Sequence, residues 1–222
     1  MPRSTPEPAA AELIEQLPVS NSLRTLTKKG ELRRYAKGAL LIQEGDAGDA
    51  LYLIVKGRLR AFSIHVTNGR EITYGNYGPG EYVGEMGLDG GLRSASVMAM
   101  EPTVCAVISK HTLERHIADD PAFAFELLAK VIRRARAATL TARQLALNDV
   151  YGRLKLLLES LALPQPDGTR LIAEKLTHQE IANRIGCTRE MVSRVMKELV
   201  VGGYVIVDLE QLRLRRPLPA RW

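Results

Sequence analysis

A chain of 222 residues, 45% apolar and 25% charged, is long enough for two domains of ordinary size and has the composition of a globular rather than a fibrous or disordered protein. The formal net charge of +6 permits a polyanionic partner without requiring one. Only Cys105 and Cys187 carry thiols, far apart, which speaks against a disulfide framework or thiolate metal site, and neither a signal-peptide core nor a membrane-length apolar run occurs, so the expected location is the cytoplasm.

Residues 1–10, rich in Pro and Ala, are expected to fray, within an N-terminal segment 1–22 that is partly disordered. Residues 11–16 and 22–27 are read as short helices. From Glu31 to about Ser109 short apolar runs at 39–42, 51–55, 58–66, 71–77, 94–100 and 104–108 alternate with glycine-containing turn clusters. Many short strands at even spacing predict an antiparallel sandwich or roll over 23–120.

After Asp119-Asp120-Pro121 the period becomes helical to about Asn148. Phe125, Leu128, Ile132, Ala135, Thr139 and Ala142 step by three and four, a heptad-like seam suited to a parallel partner. Such a seam can also pack on its own domain, but its length favours a homodimer with the 121–148 helix at its axis. Residues 150–163 read as a further helix, Pro164-Gln-Pro-Asp-Gly168 as its terminator, and 170–174 as a strand. His111 and His116 are read as surface residues of one helix.

Residues 176–200, LTHQEIANRIGCTREMVSRVMKELV, have the form of a helix-turn-helix. Thr177 and Glu180 make a T-x-x-E capping box, and Gly186-Cys187-Thr188 supplies a C-cap, a turn and a new N-cap. On a wheel of about 100° per residue, Arg189, Glu190, Ser193, Arg194 and Lys197 share an arc of roughly 140°. Met191, Val192, Val195, Met196 and Leu199 take the opposite arc. The polar side can pair with base edges and phosphates in a major groove, Arg with guanine and Glu with cytosine; it can equally be a solvated surface. The runs 203–207 and 211–214, around a turn at 208–210, read as a wing with Arg213, Arg215 and Arg216 available for phosphates. The C-terminal domain is therefore placed at 149–222.

Within the β region lies GEYVGEMGLDGGLRSASV, residues 80–97. Paired glycines can turn backbone N–H groups inward as an anion nest, and Arg93-Ser94 adds a forked cation and a hydroxyl. A buried Glu beside the nest needs a partner, which a sugar hydroxyl would be. A glycine-rich hairpin with a surface Arg has the same appearance.

G-E-M-G-L followed by R-S-A resembles the phosphate-binding cassette of cyclic-nucleotide-binding domains. With C-T-R-E-M-V-S-R-V-M-K and the long helix between, the chain resembles, from about Leu23 to Leu214, the bacterial cyclic-AMP receptor and fumarate-nitrate regulator family of transcription regulators. The resemblance implies an α+β chain: an antiparallel β-roll, a long dimerisation helix and a C-terminal winged helix-turn-helix. It implies Gly84 as backbone donor, Glu85 as the ribose-binding acid, Arg93 and Ser94 as cyclic-phosphate ligands, Arg134 near the ligand, and Thr139 reaching the nucleotide of the other subunit. In the DNA module it implies Arg189, Glu190 and Arg194 as base readers of a pseudo-palindromic TGTGA-like operator, and Thr177, Gln179 and Thr188 as phosphate contacts. Ser193 and Arg213 join them from the polar arc and the wing. The implied effector is cyclic AMP, and the implied partners are double-stranded DNA, a second copy of the chain and RNA polymerase. Departures are a cassette two residues shorter between Glu85 and Arg93, Ala138 where the receptor has an adenine-contacting threonine, and His178 where it has a basic residue. The cysteine cluster of the iron–sulfur branch is absent. The alternative is a regulator that needs no nucleotide or senses another small molecule. No nucleophile–base pair or metal-spaced cluster suggests an enzyme.

Overall fold

A computed structural model describes residues 10–208 and 211–221. The fraying expected at the extreme N-terminus and the tip of the wing turn lie outside these residues. The chain forms two compact units, one reaching up to Ser63 and including Thr73–Ile132, the other comprising Ile64–Ile72 and Arg133 onward.

The first unit opens with helices α1 (Ala10–Glu15) and α2 (Asn21–Lys29), the latter capped by the Ser20 hydroxyl accepting from Leu23 N–H at 3.1 Å. Strands follow: β1 (Glu31–Tyr35), β2 (Leu40–Ile42), β3 (Leu51–Lys56), β4 (Leu59–Ile64), β5 (Glu71–Tyr77), β6 (Tyr82–Val83), β7 (Ser96–Ala99) and β8 (Thr103–Ile108). They make two four-stranded sheets, ordered β1-β8-β3-β6 and β2-β7-β4-β5, and every recorded pairing is antiparallel. Side chains alternate across a strand, so β3 serves two cores at once. Leu51, Leu53 and Val55 join Leu26, Leu113 and Phe123 in one cluster, while Ile54 joins Leu59, Val83, Val97 and Cys105 in another. Burial on both faces explains why β3 and β8 read as unbroken apolar runs. In the second cluster burial pushes the Cys105 thiol up to about 12.

Two strands were not expected. β1, Glu-Leu-Arg-Arg-Tyr, is mostly exposed and has no alternation to detect; it exists because it completes a ladder of five residue pairs with β8. β6 is two residues long and is defined by pairing with β3.

Helix α3 (Lys110–Asp119) leads to α4 (Ala122–Leu147), and here His116 corrects the surface assignment: it is 3% exposed, with its ring edge-on to Phe123 at 4.9 Å. Ser22 donates to Asp120 at 2.6 Å, which consumes its one hydrogen. The contact from His116 Nε2 to Ser22 Oγ, 3.0 Å, is then an Nε2–H donation, leaving Nδ1 to accept from Lys29 Nζ at 3.4 Å. His116 is neutral in this chain of bonds, and desolvation, followed by the Lys29 charge, holds its pKa below the ordinary imidazole value. His111 is exposed.

Helix α4 is rich in Ala, Leu and Arg, strong helix formers, yet among its described residues only Phe123 is buried. Phe125 is 75% exposed, Leu128 52% and Ile132 41%, so the predicted seam is an open apolar stripe.

The second unit holds α5 (Val150–Leu161), β9 (Ala162–Pro164), β10 (Arg170–Ile172), α6 (His178–Ile185), α7 (Arg189–Val201), β11 (Val205–Asp208) and β12 (Gln211–Leu214), with sheet order β11-β12-β10-β9. Helix α5 stops two residues earlier than the sequence suggests, because residues 162–164 pair with β10. Leu154, Leu158, Ile172, Ile181, Val192, Met196, Leu199 and Leu212 form one core. This is the α+β arrangement of antiparallel roll, long helix and winged helix-turn-helix.

Candidate functional site

The cassette begins where β6 ends. Gly84 has φ 95°, a left-handed conformation that glycine adopts without strain, and it starts a 3-10 turn over Glu85–Gly87. Arg93 lies against this turn, 7% exposed. Its Nη1 donates to the Gly84 carbonyl at 2.7 Å and its Nη2 to the Ala50 carbonyl at 2.9 Å. Its backbone is pinned as well, N–H to Asp46 O and carbonyl from Gly45 N–H, both at 2.9 Å.

Three glycines make room for the guanidinium. A Cβ on Gly48 would stand 3.0 Å from Arg93 Nε, on Gly84 2.9 Å from Nη1, and on Gly87 3.0 Å from Nη1 and 2.4 Å from the Gly48 carbonyl. Of five guanidinium N–H donors two are engaged among the described residues, leaving three. Both acceptors are neutral carbonyls. A cation held this way has an unmet demand for negative charge, since desolvating an ion without a counter-ion costs several kcal/mol.

Ser94 is exposed and its hydroxyl rests 3.4 Å from the Met86 sulfur. Glu85 is half-buried rather than buried. The nest differs from expectation too: the N–H groups of Gly87 and Leu88 close the 3-10 turn, and Gly91 N–H binds the Asp89 carboxylate at 2.8 Å. Gly84, Glu85, Arg93 and Ser94 thus come together around Arg93. Gly87, already within the G-E-M-G-L motif, completes the arrangement with Gly48 and the Ala50 carbonyl, which were missed because they lie more than forty residues before Arg93.

In the second unit, the capping box forms as predicted. Thr177 Oγ1 accepts from Glu180 N–H at 3.1 Å, and Glu180 Oε2 accepts from Thr177 N–H at 2.7 Å. Gly186 ends α6 at φ 67° and Thr188 caps α7, accepting from Met191 N–H at 3.3 Å. On α7, Val192, Met196 and Leu199 are buried while Arg189, Glu190, Arg194 and Lys197 are exposed. The polar arc is thus a solvent-facing row on a helix positioned by its apolar side.

The sequence pattern of the cyclic nucleotide-binding domain matches residues 32–120, and that of bacterial regulatory proteins of the crp family matches residues 175–201. The chain is 37% identical over 174 residues to the Cyclic AMP receptor protein of Thermus thermophilus, covering 78% of each. It is 33% identical over 204 residues to the cAMP-activated global transcriptional regulator Vfr of Pseudomonas aeruginosa, covering 87% of this chain and 94% of that one. The chain belongs to the crp family. Its fold superposes on the c-di-GMP responsive global regulator CLP of Xanthomonas campestris with a TM-score of 0.75 at 25% identity, over 87% of this chain and 97% of that one. As a crp-family member it is a DNA-binding transcription regulator with a cyclic nucleotide-binding domain.

The remaining sites can be placed within this crp-family architecture. Arg134 and Thr139 sit on α4 in the second unit; Arg134 is half-buried, and Thr139, exposed, donates to the Ala135 carbonyl at 3.0 Å. Two of the side chains expected to face DNA have partners within the protein. Ser193 is half-buried and bonded to His178 at 2.8 Å, and Gln179 donates to Asn183 at 2.7 Å. On the wing, Arg213 lies 3.6 Å from the Asp167 carboxylate. Arg216 is committed to the Gly202 carbonyl and the Tyr204 ring, 4.1 Å from its centroid, whereas Arg215 stays exposed. The contacts of Ser193, Arg213 and Arg216 join residues distant in sequence, and spacing along the chain does not reveal them.

Proposed function

We propose that this regulator is a homodimer gated by cyclic AMP, which binds the cassette at residues 84–94 and enables the two recognition helices to read a pseudo-palindromic, TGTGA-like operator in the cytoplasm. The observation that carries the reading is Arg93, buried in a glycine cradle with neutral acceptors and three donors to spare. A cyclic phosphate supplies the missing charge. Glu85 holds the ribose, Gly84 and Ser94 add donors, and Arg134 and Thr139 contribute from α4, Thr139 to the nucleotide of the partner subunit. Arg189, Glu190 and Arg194 read bases; Thr177, Gln179, Thr188 and Arg213 serve the backbone, and Ser193 lies beside them on the polar arc.

The open stripe on α4 supports the dimer, since an apolar surface of this kind marks an interaction site. The domain division we adopt is 23–120 for the roll, 121–148 for the dimerisation helix and 149–222 for the DNA module. Half-sites should lie about 10–10.5 bp apart, centre to centre. The 164–169 loop, by its position, is the surface offered to RNA polymerase.

Calorimetry with cyclic AMP on wild type and Arg93→Ala tests the proposal: binding to wild type that is lost in Arg93→Ala supports it, and binding that survives the substitution refutes the anchor. A second reading, a different effector, is favoured by Ala138, which lacks the receptor's adenine-contacting hydroxyl, and by the likeness to a c-di-GMP responsive regulator. Wild type that ignores cyclic AMP but binds cyclic di-GMP in the same cell would establish it.

A further inference from the structure

His178, the first residue of α6, and Ser193, in the middle of α7, are joined side chain to side chain, His178 Nδ1 to Ser193 Oγ at 2.8 Å. Both are half-buried. Among the described residues this is the contact that ties the polar face of the recognition helix to the start of the helix before it. The bond ties the imidazole to the middle of α7. It leaves Nε2 without a protein partner among the described residues.

We infer that His178 is a positioning and phosphate-binding residue whose contact with DNA is switched by protonation, with Ser193 as the pin that holds the ring in place in both charge states. A hydroxyl is both donor and acceptor. When the ring is neutral with its proton on Nε2, Ser193 O–H donates to Nδ1, and Nε2–H is a neutral donor. When the ring is cationic, Nδ1–H donates to Ser193 Oγ and Nε2–H becomes a charge-assisted donor to a phosphate oxygen. The pin therefore survives protonation while the outward nitrogen gains charge. An imidazole is the side chain whose ordinary charge change falls between pH 5 and 8.

The charged groups around the pair are named from each element packed there. On α6 the Glu180 carboxylate is held by Thr177 through its N–H and hydroxyl, and Arg184 is paired to Glu174 at 2.9 and 2.5 Å. On α7, Arg189 and Glu190 precede Ser193 by about one turn, Arg194 adjoins it, and Lys197 follows by one turn. Lys175 lies just before α6. Arg153 of α5 and Arg70 and Glu71 of the 64–72 segment engage the other end of α6, at Ile185, Gly186 and Asn183. Around Ser193 on α7, Glu190 is outnumbered by Arg189, Arg194 and Lys197, so protonation of His178 adds positive charge to a surface already net positive.

The inference rests on DNA binding by the helix-turn-helix, not on cyclic AMP or on the TGTGA element. Its test is the salt dependence of binding, by fluorescence anisotropy, to a duplex with inverted TGTGA half-sites and to a scrambled duplex, at pH 5.5 and 8.0, with and without cyclic AMP. One more neutralised phosphate per subunit steepens the slope of log K against log salt by about 0.9, or about 1.8 for a dimer on two half-sites. Wild type should show that difference between the two pH values on both duplexes. His178→Gln should abolish it, and His178→Arg should give the steep slope at both pH values. Ser193→Ala should shrink the difference and Ser193→Thr should restore it, which a merely structural role for the bond would not produce. A wild-type slope independent of pH, or a difference that persists in His178→Gln, overturns the switch; a difference unchanged in Ser193→Ala overturns the pin. Equal binding to the two duplexes refutes only the operator reading.

Discussion

Replacing Gly87 by Ala tests whether the glycine cradle and effector binding are one mechanism. Gly87 is buried, and an added Cβ would stand 2.4 Å from the Gly48 carbonyl oxygen and 3.0 Å from Arg93 Nη1. Ordinary contact begins at 3.4 Å, so the gap must open by about 1 Å (3.4 − 2.4). The obstacle is backbone, so the loop carrying Gly48 has to move, and that loop is tied to Arg93 through Gly45 and Asp46. Overpacking of this sort costs about 1–3 kcal/mol of stability. A displaced Arg93 forfeits a hydrogen bond to a charged ligand, about 1.5–3 kcal/mol, or roughly 10- to 150-fold in affinity. Gly90→Ala is the matched control. Its φ is 90° and nothing lies within 4 Å of the new Cβ, so it incurs left-handed strain of about 1–2 kcal/mol and leaves Arg93 alone. Urea midpoints and calorimetry with cyclic AMP, or whichever cyclic nucleotide wild type binds, should show both variants destabilised and only Gly87→Ala impaired in binding. Equal affinity in the two variants would refute the coupling.

Acid should weaken the junction of α2, α3 and α4. The folded-state pKa of His116 is depressed below the unfolded 6.5, so its stabilising effect is present above that value and lost as pH falls through the folded one; urea midpoints at pH 7.5 and 5.5 should fall less in His116→Gln than in wild type. A steeper fall in the variant would count against a neutral His116. Thr177→Ala removes the acceptor of the Glu180 N–H and should cost about 1 kcal/mol, read from denaturation of the full chain; an unchanged midpoint contradicts the cap. Arg189→Ala should lose about 1–3 kcal/mol of operator affinity and relax preference at one guanine, measured by selection from random DNA. Arg213→Ala should weaken all sequences alike, and Asp167→Asn, by releasing Arg213 from its ion pair, should strengthen them; no change in either variant removes Arg213 from the interface.

Sequence alone determined the features whose causes are local. The capping box at Thr177 and Glu180, the left-handed Gly186 and the apolar arc of α7 depend on residues at most four apart, so spacing revealed them. The strong strands β3 and β8 were legible because burial on both faces demands continuous apolar side chains. The apolar spacing along α4 was legible from its period, and Phe125, Leu128 and Ile132 are exposed in the single chain. Tertiary structure alone decided what depends on partners far along the chain. β1 is a strand because β8 offers a free edge, and α5 ends at Leu161 because β10 takes up the next three residues. His116 is buried because Ser22 and Lys29 satisfy its ring nitrogens, Asp120 holds Ser22 in place and Phe123 covers the ring. Arg93 was visible as a motif residue, but its cradle required Gly48 and the Ala50 carbonyl, more than forty residues earlier. Ser193 belongs to the polar arc by sequence, yet the fold turns its hydroxyl to His178, fifteen residues away. Backbone carbonyls and cross-helix hydrogen bonds are properties of three-dimensional proximity, which the order of residues encodes only through the fold.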